Sequence, residues 1–209
     1  VPAVLSPDRK THGLIVMRET GTEIIHVDCV FPVMHGIGGE DGTIQGMFEM
    51  LGVTYVGSGV AASANGMDKD LMKRTLSASG LPGCQFVTIT ARQWSQEREA
   101  SLARGAALGY PIFVKPARGG SSMGITKVDS LEELEQAVLF AQKFDPKLVI
   151  EEGVLGAREV EFAVLGGRGG APRVSLPGEI VLTTREFYDF EGKYLGGDGA
   201  EVVCPAALT

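Results

Sequence analysis

A stretch in the middle of the chain, YPIFVKPARGGSSMGITKV, carries residues that could hold a phosphate group. Lys115 ends an apolar, β-branched run, so a strand would aim its ammonium group in a fixed direction. Gly119 and Gly120 allow positive φ angles and can turn backbone N–H groups inward. Ser121 and Ser122 add hydroxyl donors. The combination suits an anion, but it equally suits a tight hairpin turn with a solvated lysine, and spacing alone leaves these alternatives nearly even.

Two further clusters contain residues that could bind a nucleotide. Glu151 and Glu152 end the apolar run LVI, and Glu159 follows in the next predicted strand. Carboxylates at a strand end can accept hydrogen bonds from an amino group or from ribose hydroxyls, although any single glutamate is more often an ordinary surface acid. Lys193 and Tyr194 lie together in the segment EFYDFEGKY, where the pair alone indicates little.

Several classes of protein and site are disfavoured by composition and spacing. The sequence has no G-x-x-x-x-G-K-[ST] motif, its three cysteines are far apart, and its three histidines form no ligand pattern, so no Walker A loop, disulfide framework or metal site is predicted. A net charge of −7 argues against a general nucleic-acid partner. Without a long apolar segment or a signal-peptide layout, we expect a cytoplasmic protein with no membrane partner.

The elements that must position these residues follow an α/β pattern. A strand over 27–34, a helix over 43–51 with Asp41 or Thr43 as N-cap, and a strand over 53–58 form a βαβ unit, which implies a parallel sheet. Gly52 is placed to end the helix. Further helices are predicted over 67–80, 97–108 and 130–144, and further strands over 84–90, 111–116, 125–128, 147–152 and 158–166.

Two local signals refine this pattern. Ser130 and Glu133 form the sequence signature of a capping box at the start of the helix over 130–144. The 29 glycines collect between elements, which favours backbone loops that approach a ligand. The last forty residues are weakly periodic, and we interpret them as a long functional loop with flanking strands.

Five segments in this order resemble the D-alanine–D-alanine ligases of the ATP-grasp superfamily: FPVMHGIGGEDGTIQG, YVGSGVAASANGMDK, GYPIFVKPARGGSSMGITKV, LVIEEGV and EFYDFEGKYL. Because these five segments extend over nearly the whole chain, the protein is identified as a member of that family. The resemblance implies an ATP-grasp fold with the remainder of an N-terminal parallel-sheet domain. It divides the chain into residues 1–66 of an N-terminal substrate domain, 67–151 of a central ATP-grasp subdomain, and 152–209 of a C-terminal subdomain with the active-site loop.

The resemblance also implies an ATP site. Lys69 and Lys115 match the lysines that hold the phosphates, and both are compact cations suited to a polyanion. Glu151 matches the acid that meets the adenine amino group, while Glu152 and Val154 lie in the segment whose backbone lines the adenine slot.

Further ATP contacts are implied by the same likeness. The loop over 117–123, which includes Ser122, would close over the phosphates. Glu159 matches the ribose-binding acid, and one extra residue in EGVLGARE leaves its register open.

The implied catalytic residues lie in two loops. Ser121 and Tyr194 match a hydrogen-bonded pair that joins the loops beside the substrates, and Lys193 matches a lysine that reaches the transferred phosphate. His35 and Glu40, in HGIGGEDG, match residues that border the first amino-acid site.

The implied reaction joins two D-alanines, using ATP and Mg²⁺ and an acyl-phosphate intermediate, for peptidoglycan synthesis. The segment FYDFEGKY, which contains Tyr194, resembles that of the dipeptide ligases and favours a dipeptide product over the alternative D-alanine–D-lactate product. Family members carry their metal ligands in a C-terminal region without a counterpart here, so we expect the Mg²⁺ ligands outside this chain. A catalytically silent nucleotide-binding fragment is therefore the other hypothesis, and a homodimer is expected for the enzyme.

Overall fold

The computed structural model describes residues 1–166, 169–182 and 200–208. The chain divides into two compact units, the first formed by Val1–Gly120 with Gly124–Glu152 and the second by Ser121–Met123 with Gly153–Thr209. Within the described ranges no helix has the length and apolar character needed to cross a membrane. The three-part domain division implied by the family likeness stays a prediction.

The first unit begins with two small sheets. One is antiparallel, with strand order β1-β2-β3, and consists of β1 (Ala3–Leu5), β2 (Gly13–Arg18) and β3 (Gly21–His26). The other pairs β4 (Cys29–Val30) in parallel with β5 (Thr54–Tyr55), and helix α1 (Thr43–Leu51) connects them. The predicted βαβ unit is thereby confirmed.

Both strands of this unit are shorter than predicted. The expected strand over 27–34 is reduced to β4 because Pro32 has no N–H to donate to a neighbouring strand. The expected strand over 53–58 is reduced to β5, and Gly57 follows with a φ of 128°, which is incompatible with a regular strand.

The start of α1 also differs from its prediction. The N-cap is Gly42, with a φ of 91°, and not Asp41 or Thr43. The Asp41 carboxylate nevertheless accepts from the N–H groups of Gly38 at 2.9 Å and Thr43 at 3.0 Å, and these bonds, led by that from Gly38, lower the pKa of Asp41. Gly52 ends the helix in the left-handed conformation, as predicted.

The main sheet of the first unit is antiparallel, with strand order β6-β9-β7-β8. Its strands, all predicted, are β6 (Phe86–Thr90), β7 (Ile112–Pro116), β8 (Thr126–Val128) and β9 (Lys147–Glu152). The helices of this part of the chain are α2 (Val60–Met67), α3 (Lys69–Ala78), α4 (Ala91–Gln96), α5 (Arg98–Ala106) and α6 (Leu131–Ala141). Of these, α2 and α4 were not predicted.

Alternation along the strands gives this sheet an apolar face and a second, polar face, which carries the charged side chains together with Phe113 and Val149. Ile112 and Val114 of β7, with Leu148 and Ile150 of β9, are fully buried in a core with Leu134 of α6. Successive side chains of a strand point to opposite faces. Lys115 and Glu151 are therefore placed on the other face, where they are available to a site.

The first turn of α6 contains half of the predicted capping box. Ser130 Oγ accepts from the N–H of Glu133 at 3.3 Å, as expected. The Glu133 carboxylate, however, accepts from the N–H of Asp129, one residue before the N-cap. A complete box is found at α4, between Thr90 and Gln93.

The second unit is built from short strands. Its first sheet has the order β10-β13-β14, and its second pairs β11 with β12; the strands are β10 (Glu159–Glu161), β11 (Val164–Leu165), β12 (Arg173–Val174), β13 (Gly178–Leu182) and β14 (Ala200–Val203). The single strand predicted over 158–166 is thus divided into β10 and β11. Residues 183–199, which contain most of the predicted active-site loop, lie outside the described residues.

Gly124, at the end of the turn between β7 and β8, is a position where glycine is required. Its φ is 73°, and an added Cβ would lie 2.6 Å from Phe144 and 2.8 Å from Pro116. We expect Gly124→Ala to lower the free energy of unfolding by about 2 kcal/mol, because backbone strain and overlap add.

The matched control is Gly80→Ala, since Gly80 has a similar φ of 75° but nothing within 4 Å of an added Cβ. This change should cost only the backbone strain, about 1 kcal/mol. Urea denaturation of both variants measures the difference, and equal losses would show that overlap at Gly124 contributes nothing.

Candidate functional site

The centre of the site is a carboxylate shared by two lysines. Glu151, on the polar face of β9, is only 8% exposed. One of its oxygens contacts the ammonium of Lys115, and the other accepts from Lys73 of α3 at 2.6 Å. In β7, Phe113 pairs with Glu151, so Lys115 lies two residues further along the same face.

The charge state of Glu151 follows from this pairing. Burial alone would raise its pKa, but the positive charge of Lys115 and the hydrogen bonds from Lys115 and Lys73 outweigh burial and lower it. Glu151 is therefore ionised at neutral pH. Each carboxylate oxygen has two acceptor positions, so both oxygens can take another donor, such as an amino group.

A third lysine lies at the same end of the site. Lys69, the first residue of α3, donates from Nζ to the carbonyl of Gly119 at 2.6 Å, and its backbone N–H donates to Ala117 at 2.9 Å. Burial and then the charge of Lys115 lower the pKa of Lys69. A polyanion would relieve this repulsion, so the lysines are placed as an anion site requires.

The stretch between β7 and β8 is a hairpin, since these strands pair antiparallel. Ser121 and Ser122 have φ angles of 51° and 57°, which non-glycine residues rarely adopt. Such strained residues occur preferentially at ligand sites. The hairpin turn is confirmed, but Lys115 is not the solvated lysine of that alternative, because it is only 21% exposed and contacts Glu151. The phosphate role of these residues stays a prediction.

The beginning of this turn is anchored by Asp145, a residue that the sequence analysis missed. Asp145 is 3% exposed and accepts three hydrogen bonds from Arg118, from the backbone N–H at 2.7 Å, Nε at 3.1 Å and Nη2 at 2.7 Å. The N–H of Lys147 provides a fourth, at 2.9 Å. Although burial opposes ionisation, these bonds, led by that from the Arg118 side chain, lower the pKa of Asp145.

Helix α3 is held against the polar face of the sheet by two acids. Asp68 caps the helix through the N–H groups of its first turn and pairs with Lys147 of β9. Asp70 accepts from Thr88 of β6 at 2.7 Å and from Arg74 at 2.7 Å. Because the helix is fixed in this way, Lys69 and Lys73, one turn apart, are both presented to the site.

A separate cavity lies where the parallel strands β4 and β5 end, the usual position of a ligand in such a unit. Its volume is about 510 Å³, and its lining includes Glu40, Gln45 and Ser58. The Glu40 carboxylate accepts a hydrogen bond from the N–H of Gly36 at 2.6 Å, and this bond joins the two ends of the loop over 36–40. His35 is exposed and is not in the lining of this cavity.

Gln45, also missed by the sequence analysis, fixes the same loop from α1. It is 6% exposed, and its Nε2 donates to the carbonyl of Gly39 at 2.9 Å. Over the described part of the chain, its Oε1 is the one buried side-chain polar atom without a partner. An added Cβ on Gly120 would lie 3.9 Å from Gly36, so this loop also approaches the start of the hairpin turn.

The remaining predicted residues are placed as follows. Glu152 accepts from the N–H of Gln85 at 2.9 Å, while Val154 and Glu159 are exposed residues of the second unit. Lys193 and Tyr194 lie outside the described residues, so the Ser121–Tyr194 pair stays a prediction. A larger cavity of about 790 Å³ along β6 contains none of the predicted site residues.

The described acids do not fit a magnesium site. Within residues 1–166, 169–182 and 200–208, no group of three His, Cys, Asp or Glu side chains could hold a metal ion. The acids nearest the lysines, Glu151, Asp68 and Asp145, are already paired with cations. A divalent cation prefers unpaired oxygen ligands.

Comparison with known proteins gives consistent matches along the chain. The family described as D-ala D-ala ligase N-terminus matches residues 4–58, and that described as D-ala D-ala ligase C-terminus matches residues 75–209. The chain is 54% identical to a D-alanine–D-alanine ligase of Arthrobacter sp. (strain FB24), over 94% of this chain and 53% of the relative. It is 46% identical to that of Bacillus licheniformis, over 100% and 55%.

Solved structures agree with these matches. The VanG D-Ala:D-Ser ligase from Enterococcus faecalis is similar over 100% of this chain and 57% of its own, with a TM-score of 0.82 and 37% identity. The D-alanyl-alanine synthetase A from Vibrio cholerae is similar over 99% and 60%, with a TM-score of 0.80 and 31% identity. The chain spans about half the length of the curated relatives that it matches.

Proposed function

Because the chain belongs to the D-alanine–D-alanine ligase family and has its ATP-grasp fold, we propose that it forms part of a ligase that joins two D-alanines for peptidoglycan synthesis. The activity is proposed for the native protein that contains residues 1–209. The observation that carries the proposal is the buried Glu151 with Lys73 and Lys115, together with Lys69 at the carbonyl of the hairpin turn. Three ammonium groups against one carboxylate leave a surplus of positive charge that suits a triphosphate.

In this proposal the described residues bind and orient ATP. Lys69 and Lys115 hold the phosphates, and the free acceptor positions of Glu151 receive the adenine amino group. The backbone at Glu152 and Val154 lines the adenine slot. Two further residues, Ser122 in the hairpin turn and Glu159 at the ribose, complete the nucleotide site.

The chemistry consists of two displacements. A carboxylate oxygen of the first D-alanine attacks the γ-phosphorus and ADP leaves, giving an acyl phosphate. The amine of the second D-alanine attacks the acyl carbon, phosphate leaves, and the amine loses a proton. Positioning and neutralisation of charge supply most of the catalysis, and closed loops exclude water.

Residues of three loops are proposed to serve these steps. His35 and Glu40 border the first amino-acid site, and Ser121 and Tyr194 join the loops beside the substrates. Lys193 neutralises the transferred phosphate. Since the described acids do not fit Mg²⁺, we derive no step through the ion. The family likeness, and not the described residues, supports the proposal that its ligands lie outside this chain.

The identity of the second substrate is the main alternative. The likeness to a D-Ala:D-Ser ligase favours a test of D-serine, and D-lactate is the other candidate. The Tyr194 pattern supports D-alanine. A chain that binds ATP without ligation would agree instead with a silent nucleotide-binding fragment.

The test measures phosphate release from ATP by the native protein with D-alanine alone, with D-alanine plus D-serine, and with D-alanine plus D-lactate. Mass spectrometry of the products identifies the bond formed. We expect release with D-alanine alone and a product of two alanines. Release that requires D-serine or D-lactate would contradict the choice of substrate, and no release in any mixture would contradict the proposed ligase activity.

The enzyme is also proposed to be a cytoplasmic homodimer. Sedimentation of the native protein tests the homodimer, and cell fractionation tests the cytoplasmic location.

A further inference from the structure

We infer that Lys73 is a positioning residue, which keeps Glu151 neutralised when Lys115 leaves that carboxylate to bind the phosphates of ATP. This inference rests on the proposed nucleotide site. It assigns a role to a lysine that was not among the predicted site residues. Lys73 itself need not contact the nucleotide.

The two lysines contact different oxygens of the Glu151 carboxylate. Lys115 contacts Oε1, and Lys73 donates to Oε2 at 2.6 Å. The side chains of Lys73 and Lys115 are only 16% and 21% exposed, so water screens these pairs weakly. Each lysine is also flanked by an aromatic ring, since Lys73 lies 5.4 Å from the centre of the Phe86 ring and Lys115 lies 5.4 Å from that of Phe113.

The two lysines differ in where they can move. Lys73 is in the interior of α3, which Asp68 and Asp70 hold to the sheet. Lys115 is the second-last residue of β7, one residue before the end of the strand and the start of the turn that would cover the phosphates. Lys115 is also the lysine to which the proposed function assigns a phosphate contact, so it is the one expected to exchange its partner.

Loss of Lys115 would leave a buried carboxylate that needs another counter-charge. An unpaired buried carboxylate is strongly unfavourable. Lys69 interacts with the charge of Glu151, but its ammonium is already bonded to the carbonyl of Gly119. From β6 and β7, the described neighbours on this face are the uncharged Phe86 and Phe113. Of the described cations that contact Glu151, Lys73 is the one that stays.

The test is the pH dependence of ATP affinity in the native protein carrying Lys73→Met. In the wild type, Glu151 stays ionised before and after binding, so it adds no pH dependence. In the variant, burial would raise the pKa of Glu151 once Lys115 has left, and binding would take up a proton. Affinity must then fall as pH rises. We expect a loss of about tenfold at pH 8 and of less than about threefold at pH 6, in line with one charge-assisted contact.

The chain offers a matched control in the next residue. Arg74 is on the same helix and lies 5.9 Å from the same Phe86 ring, but it bonds to Asp70 at 2.7 Å and not to Glu151. Arg74→Met should therefore keep the pH profile of the wild type. Lys73→Arg, which restores a cation, should recover most of that profile.

The outcomes separate this inference from the proposed function. If the wild type does not bind ATP, the nucleotide site itself is wrong. If the wild type binds and Lys73→Met has the same affinity and pH profile, or loses affinity equally at every pH, the inference is overturned. Should Lys73→Met not fold, Lys73→Gln is measured in the same way. For either variant, calorimetry in buffers of different ionisation enthalpy counts the protons taken up, and no uptake beyond that of the wild type overturns the inference.

Discussion

Replacement of Lys115 by alanine is expected to weaken ATP binding by about ten- to a hundredfold. A buried charge-assisted contact contributes about 1.5–3 kcal/mol, which corresponds to this range. The change would remove the cation at the end of β7 that faces the proposed phosphate site, while Lys73 would still neutralise Glu151. Isothermal titration calorimetry with ATP measures the effect, and adenosine, which lacks phosphates, should be affected much less.

The control for Lys115 is Lys143→Ala, which makes the same change of net charge at an exposed position beside Phe140. Its ATP affinity should equal that of the wild type. Unchanged affinity in Lys115→Ala would mean that the stretch between β7 and β8 serves only as a hairpin turn.

The largest effect on stability is expected from Asp145→Asn, with a decrease of about 3–5 kcal/mol in the free energy of unfolding. Asp145 is almost completely buried and accepts four hydrogen bonds, three of them from Arg118. The asparagine amide turns an NH₂ group toward two of the four donors, and losing two hydrogen bonds to a buried charged group, at about 1.5–3 kcal/mol each, gives a loss of this size. Urea denaturation at pH 7 measures the loss.

Two comparisons sharpen this prediction. Arg118→Met should cost less, about 2 kcal/mol, because the buried carboxylate loses a half-exposed counter-charge but keeps the backbone donors of Arg118 and Lys147. The folded pKa of Asp145 is lowered from 3.8, so its contribution is present above that value and is lost as pH falls through the lower folded pKa. Asp145→Asn should lack this part of the acid dependence, and a loss equal to that of Arg118→Met would contradict the contribution assigned to the backbone donors.

Elements with strong local patterns were predictable from the sequence. The predicted bounds of α1 and β9 agree with the structure, since α1 has an apolar stripe ended by Gly52 and β9 is an apolar run ended by two acids. Less regular elements were not. Every residue of β3 is exposed, and α2 buries only Ser63, so neither shows the periodicity on which a prediction depends.

The site was predictable in its residue types but not in its pairings. Lys115 was found because it ends a strand, and Glu151 because two acids end an apolar run. The bond between them joins residues 36 positions apart, and it depends on the register of β7 and β9, which the sequence does not display. Lys73 carries one weak signal, its spacing of four residues from Lys69 on a helix. For Asp145 we find no sequence signal.

The alternation of side chains along β9 limits where residues can be inserted or deleted in proteins of this family. Inserting one residue within Lys147–Glu152 would turn Glu151 toward the apolar core and bring a core side chain to the lysines. An added residue after Glu152 would leave that register intact. We therefore expect insertions and deletions fixed during evolution to fall beyond the end of β9, while its six residues keep their number.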